Sequence, residues 1–484
     1  MYNSRLIKQL RTLSPVEINR FSAYLESHFW GISTKSIKLG MYLIGLYPDF
    51  PEDALKKETL YNLLFPESGE FENQALHDQF SLLNKSFHHF LGLLQYEKDD
   101  EQQSLNIMRS FAERRDKDNL QRSLKKAENS LKAAGGAGPH TYLQQYLYHH
   151  QANSVFQSRS LTKKRDMFGE MVNDLDRFYL SNKLKYACEM LNRQAILNIA
   201  YDQNLTDKLV TYLFDEGRHW LADPLISLYS KVYMLLKQPE DENYQQILSN
   251  LQKNQEALDS AEVANIYAFL QNYCIKQLNS GNGNYLGELF RLYQILLEKE
   301  LLFDSNGYIS HAHVKNIVAV GLRLEKYDWV KSFLENYTSR VQPLQREDVF
   351  HYNLAQYHYE QKQYREALKL LIQINYTDVF YQLDARALQM KIYYEMGEDD
   401  SLLYLVKAFK TFLKRNKELS RNQYSPYENL LTLAQKAYRL KNQKASLSTQ
   451  KFEEKLHRLK QAIQVAQGIA NKHWLSRKVK ELEL

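Results

Sequence analysis

Turn-forming residues are scarce: 9 prolines and 17 glycines serve 484 residues. These shares lie well under the usual values of about 5 % and about 7 %, so few chain reversals are signalled. Val, Ile and Thr are sparse beside Leu, Lys, Glu, Gln, Ala and Tyr, and straight-chain residues lose less rotamer freedom in a helix than β-branched ones. The bias favours helix throughout. The two cysteines, Cys188 and Cys274, have no second thiol at metal-ligand or redox spacing, which implies no disulfide framework and suits a reducing compartment. No apolar run reaches the roughly 20 residues of a membrane-spanning helix; Leu39 to Tyr47 is about half that long and Pro48 closes it. The opening MYNSRLIKQLRTLSP is basic but lacks the apolar core of a signal peptide. A cytoplasmic protein with no membrane partner is expected.

What is present can fold. Hydrophobic residues make up 44 % and charged residues 25 %, enough to bury a core and still solvate a surface. The length suits two to four ordinary domains or one extended array of repeats. Leu13-Ser14-Pro15-Val16-Glu17-Ile18 reads as a complete helix start: Ser14 caps, Pro15 takes the first helical position, Glu17 closes a capping box, and Leu13 and Ile18 form the staple. Behind it Ile18, Phe21, Leu25 and Phe29 make one apolar stripe. Residues 47 to 55 form a proline-marked turn, Leu60 to Phe65 a short helix stopped by Pro66, and 76 to 96 a longer helix. Residues 1 to 100 are read as a helical cap domain.

Residues 101 to 133 are charged and helical in pattern, ending at the glycine cluster from Ala134 to Pro139. No Gly-Lys-Ser/Thr follows that cluster and no strand precedes it, so it is read as a helix terminator rather than a phosphate loop. From His140 onward, helical segments alternate with short polar breaks, the cadence of stacked helical hairpins. One stretch is specific. Tyr352-Asn353-Leu354-Ala355, Tyr359 and Tyr364-Arg365-Glu366-Ala367-Leu368 closely resemble the tetratricopeptide repeat, with Ala355 and Ala367 at its small positions. The template recurs upstream, where Asn316 and Tyr327 precede Asn353 and Tyr364 by 37 residues, and downstream, where Tyr394 and Leu402 follow Tyr359 and Ala367 by 35. These neighbours depart from the pattern with Val318, Val330, Met390 and Leu402 at small positions and Val379 where the family often has proline. The resemblance is clearest over 310 to 415, weaker over 140 to 310, and absent before residue 100, where the chain loosely resembles the start of uncharacterised Bacteroidota repeat proteins.

The resemblance implies an all-α fold: a right-handed α-solenoid of antiparallel helix hairpins spanning 101–445, with the N-terminal cap domain before it. A long basic helix, 446–484, then caps the open end. It also implies a concave wall lined by the first helix of each repeat, at positions including Lys315, Arg323, Tyr352, Gln356, Tyr359, Lys391 and Tyr394. Tyrosine pairs an apolar face with a hydrogen-bonding tip, which suits both interfaces and helix packing. One use of the family, a clamp for a peptide C-terminal carboxylate, is rejected. Lys315 and Asn353 fit it, but Ala319, Asp384 and Leu388 stand where Asn, Lys and Arg belong.

Residues 401 to 484 hold 18 Lys and Arg against 6 Glu and no Asp, which leaves the first 400 residues at a net −6. The basic positions Lys414, Arg415, Lys417, Arg421, Lys436, Arg439, Lys441 and Lys444 form a patch able to neutralise phosphates. Phe452, Leu456, Leu459, Ile463, Ala466 and Ala470 repeat like a coiled-coil seam. The seam either covers the last repeat or pairs two copies of the chain. His88-His89, His149-His150 and His311-Ala312-His313 lack a third metal ligand, Asn282 to Gly287 is a turn, and the Ser-x-x-Lys strings at Ser123 and Ser160 lack their companion motifs. No catalytic residue, metal or cofactor is expected. Two functions remain: a non-enzymatic scaffold holding protein or peptide segments on the concave wall, and an RNA-associated factor using residues 401 to 484.

Overall fold

The computed structural model describes residues 1–68, 70–133, 136–157, 167–197, 200–304, 306–374, 379–416, 419–466 and 468–483. Among them the chain is all-helical, β-structure is confined to two isolated bridges, and no helix is long and apolar enough to cross a membrane. The chain divides into two compact units, Met1–Lys237 with Ser249–Asp259, and Gln238–Leu248 with Ser260–Leu484.

The first unit opens with α1 (Arg5–Leu10), α2 (Pro15–Glu26), α3 (Thr34–Gly45), α4 (Lys57–Leu64) and α5 (Asn73–Lys98), which bury one apolar cluster. The start of α2 forms as its residues dictate: Ser14 Oγ accepts from the Glu17 amide, and the Ser14 amide donates to Glu17 Oε2 at 2.9 Å. Leu13 and Ile18 are both buried. At Gly40 a β-carbon would lie 2.4 Å from Leu25 Cδ1, so glycine is what lets α3 approach α2. Next come α6 (Asp100–Glu113), α7 (Lys117–Ala133), α8 (Pro139–Gln157), α9 (Phe168–Leu197), α10 (Asn204–Asp215) and α11 (Pro224–Lys237). The pattern over 101 to 133 is two helices, because Arg115 turns left-handed at φ 57° and Asp116 Oδ1 accepts the Asn119 amide at 3.2 Å to start α7. Of the glycine cluster, residues 134–135 lie outside the described residues. A β-carbon at Gly136 would meet the Leu258 carbonyl carbon at 2.2 Å, and Ala137 pairs with the backbone at Ala257 and Asp259. Close backbone packing, not anion binding, accounts for that glycine.

The remaining helices are α12 (Asp241–Asn254), α13 (Ser260–Asn279), α14 (Tyr285–Glu298), α15 (His311–Arg323), α16 (Tyr327–Tyr337), α17 (Arg346–Glu360), α18 (Tyr364–Ile372), α19 (Val379–Met396), α20 (Asp399–Arg415), α21 (Arg421–Asn442), α22 (Thr449–Val465) and α23 (Lys472–Glu481). From α13 to α22 they pack in consecutive pairs, and α15, α17, α19 and α21 also touch one another in that order. The turn inside each of the four pairs from α13–α14 to α19–α20 is made in one way. Gly281, Glu325, Lys362 and Gly397 are left-handed, and the amide after each bonds five residues back, as Lys326 to Gly321 (3.0 Å), Gln363 to His358 (2.9 Å) and Glu398 to Tyr393 (3.1 Å). This is the Schellman closure of a helix end. Its left-handed residues Glu325, Lys362 and Gly397 recur 37 and 35 residues apart, the spacing read from the sequence. Ala355 and Ala367 are fully buried. Where Val330 replaces a small residue, Gly321 makes room: its β-carbon would stand 2.6 Å from Val330 Cγ2.

The single long helix expected over 446–484 is corrected. α22 ends at Val465 and α23 begins at Lys472, with Gly468 and Asn471 left-handed between them. The break is held to the start of α21: Ala470 donates to the Pro426 carbonyl at 3.0 Å, and Asn429 Nδ2 donates to the Gly468 carbonyl at 2.9 Å. Phe452, Leu456, Leu459 and Ile463 are buried within the chain itself, while Ala466 and Ala470 lie outside both helices.

Candidate functional site

Helical spacing puts one stripe on each of three neighbouring helices: Lys315, Ala319 and Arg323 on α15; Tyr352, Gln356 and Tyr359 on α17; Asp384, Leu388, Lys391 and Glu395 on α19. Arg323, Gln356, Tyr359 and Lys391 line a cavity of about 460 Å³ that Trp474 and Arg477 of α23 help to enclose. That volume is within the usual range of about 300–1,000 Å³ for small-ligand sites.

Glu395 holds α23 in place. Its carboxylate accepts from Trp474 Nε1 at 3.0 Å, from Lys478 Nζ at 2.8 Å and from the Tyr359 hydroxyl at 3.3 Å. Hydrogen bonds to an ionised acceptor are about twice as strong as neutral ones, and Lys478 is buried, with Glu481 as a second partner at 2.8 Å.

Three cations face the cavity. Among the described residues Arg323, Lys391 and Arg477 make no hydrogen bond or ion pair, although Glu325 and Glu360 sit on the cavity rim. The Lys391 ammonium rests 4.4 Å from the centre of the Tyr359 ring, and burial brings its pKa down to about 8. The ring face supplies part of the attraction that a carboxylate would otherwise give. Burial and then the Glu395 charge push the Tyr359 hydroxyl far above its ordinary pKa, away from the range of a general base.

Two expected wall tyrosines are corrected to packing residues. Tyr352 is buried edge-on to Tyr381 with Gln356 Nε2 donating to its hydroxyl, and Tyr394 is buried between Tyr438 and Trp474, at ring distances of 5.1 and 5.2 Å. An amphipathic ring satisfied inside the chain leaves nothing for a guest. Lys315 is also occupied: its ammonium pairs with Asp384 at 2.6 Å, and Tyr427 donates to the same carboxylate at 2.7 Å. Asn353 is fully buried and donates to the Val349 carbonyl at 2.7 Å. Both residues that fit the carboxylate clamp are thus engaged internally.

The basic positions do not converge as one patch. Lys414 and Arg415 end α20, Arg421 opens α21, and Lys417 lies outside the described residues. Lys441 sits over the Tyr394 ring at 5.5 Å, and Lys444 donates to the Leu482 carbonyl at 3.4 Å. Lys436 and Arg439 border a separate cleft. The histidines have local partners: His88 meets Gln9, His89 meets Tyr24, His149 meets Asp174, and His311 and His313 meet Gln345 and Ser310. Ser123 Oγ donates to the Leu120 carbonyl within its own helix, and the string at Ser160 lies outside the described residues. Both thiols are buried, which raises the Cys274 pKa to about 12. Sequence reasoning missed Trp474, Arg477 and Glu395. Only the aromatic residue inside the basic run Lys472 to Lys480 hinted at them.

No protein-family model, curated protein or solved structure matches this chain.

Proposed function

We propose that the chain is a non-enzymatic, cytoplasmic scaffold: a tetratricopeptide-like, right-handed α-solenoid that holds a segment of another protein against the stripes of α15, α17 and α19. The observation that carries this reading is the cavity bounded by three successive first helices and α23, where Arg323, Lys391 and Arg477 have no ion pair. Lys391 is half-buried with an aromatic face and no ion-paired carboxylate beside it, a site where a partner's acidic or hydrogen-bonding group gains most. The recurrence of left-handed closures at 37 and 35 residues supports the repeat reading. The test is affinity purification of the full chain and of an Arg323→Ala, Lys391→Met, Arg477→Ala variant, with mass spectrometry of what each retains. Loss of specific partners by the variant, with an unchanged circular-dichroism melt, is expected. An identical set of partners ends the assignment.

A further inference from the structure

The α21–α22 hairpin carries a second charged feature. Phe452, Leu456, Leu459 and Ile463 of α22 are buried, as is Leu440 of α21. Alongside this dry seam Lys436 and Arg439, three residues apart on α21, and Lys455 and Arg458, three apart on α22, border a cleft of about 350 Å³. Residues three apart rise about 4.5 Å along a helix, and packed helix axes lie about 8–10 Å apart. Four exposed cations therefore crowd into a small rectangle.

Their surroundings leave them uncompensated. Among the described residues no carboxylate lines the cleft, and Lys436, Arg439 and Arg458 have no side-chain hydrogen bond or ion pair; Lys455 donates to the neutral Gln443 Oε1 at 3.1 Å. Elsewhere the chain does pair its cations. Lys460, on the same helix, meets Glu483, and Lys237 and Arg340 each meet a carboxylate at 2.7 Å. Glu454 lies one turn before Arg458 on α22, yet it makes no ion pair with it and is not part of the cleft lining. Like charges held this close repel, and an external polyanion relieves that repulsion while releasing its own counterions.

We propose that the α21–α22 cleft binds the phosphate backbone of a nucleic acid strand, without selecting bases. Two guanidinium forks match phosphate oxygens bidentately, and two ammonium groups add point charges. The floor offers no aromatic ring for base stacking, and its leucines, Leu440 and Leu459, are buried, so an acidic protein would find no apolar anchor. A lipid surface would likewise find no exposed apolar side chain in the cleft to take into its interior. Lys436 and Arg439 stood out in the sequence; Lys455 and Arg458 emerge only once the hairpin closes.

The experiment uses the full chain with a fluorescein-labelled oligouridylate and a labelled DNA duplex, each of about 20 nucleotides per strand, read by anisotropy from about 50 to about 200 mM salt. Both are expected to bind at low salt and weaken steeply as salt rises. A Lys436→Ala, Arg439→Ala, Lys455→Ala, Arg458→Ala variant should bind about tenfold or more weakly, with a flatter salt dependence. A Lys414→Ala, Arg415→Ala variant should bind like wild type, and so should the Arg323→Ala, Lys391→Met, Arg477→Ala variant, which separates this site from the scaffold reading. A circular-dichroism melt of the quadruple variant checks that it is folded. No binding at low salt, or undiminished binding by the folded quadruple variant, overturns the proposal. So does equal competition by poly-glutamate of matched charge, or binding of phosphatidylserine vesicles without binding of either oligonucleotide.

Discussion

Over residues 1–98 the buried aromatic residues are mostly Phe21, Phe50, Phe80, Phe87 and Phe90, whereas from Tyr244 to Tyr438 they are mostly tyrosines. Tyrosines of this region reach carboxylates well away in the chain: Tyr244 to Glu288 at 3.5 Å, Tyr359 to Glu395 at 3.3 Å and Tyr427 to Asp384 at 2.7 Å, with Tyr285 to Asp241 and Tyr438 to Asp399 closer still. The partners lie 36 to 44 residues apart, about one hairpin. Apolar packing is non-directional and tolerates sliding. A hydroxyl that must find one carboxylate fixes how each hairpin sets against the next. Among the described residues 16 of the chain's 35 tyrosines are buried, so many of them serve packing rather than a guest.

The sharpest way to break that comparison is to exchange the two devices. Phe87 is buried edge-on to Phe21 at 5.2 Å, and Phe87→Ala is expected to cost about 3–5 kcal/mol. Phe87→Tyr should still cost about 1–3 kcal/mol, because its hydroxyl enters the apolar cluster around Phe21 and Phe90. Tyr285→Phe, which leaves the ring and removes the bond to Asp241, should cost about 1 kcal/mol. Urea unfolding, with hydrogen exchange to show which helices open, measures all three. If Phe87→Tyr is neutral, the two cores do not differ as described.

Local signals made the helices legible, and long-range ones hid the site. Ser14, Pro15 and Glu17 announce α2 because a cap is settled within four residues. The 37- and 35-residue register was visible because ring and small-residue positions repeat. The left-handed closures at Glu325 and Lys362 were not, since backbone hydrogen bonds rather than glycine hold them. Tyr352 and Tyr394 misled because the same side chain serves an interface and a core, and spacing cannot say whether a partner for its hydroxyl waits inside. Trp474 reaches Glu395 across 79 residues. That contact depends on α23 being separated from α22, which a continuous seam pattern conceals.

The carboxylates test the other half of the comparison. Asp384 is mostly buried and serves both Lys315 and Tyr427. Asp384→Ala strands an ammonium and a hydroxyl together, for about 2–3 kcal/mol once the partial exposure of Lys315 is allowed for. Adding Lys315→Met should recover more than half of that loss, because removing both charges is far cheaper than removing one. A double-mutant cycle by urea unfolding reads the coupling. Strict additivity would mean that the bridge orders nothing, and that the tyrosine-rich hairpins are held by apolar burial alone, like α1–α5.

The smallest effect concerns Tyr359, a tyrosine that both packs and borders the cavity. Lys391 lies over the Tyr359 ring, and burial lowers its pKa to about 8 against the weaker pull of Glu360, Glu395 and Asp384, with Arg477 adding repulsion. Below about pH 8 the folded chain carries the ammonium at a cost that the unfolded chain does not bear. Between there and the unfolded value near 10.4 the unfolded chain holds a proton that the folded chain has released, so stability rises with pH. Lys391→Met has no such proton. Wild type should therefore gain on this variant from pH 7.5 to pH 9.5 by less than about 1 kcal/mol. A constant gap in urea midpoints across that range would place Lys391 in water and remove the reason for an anionic guest to seek it.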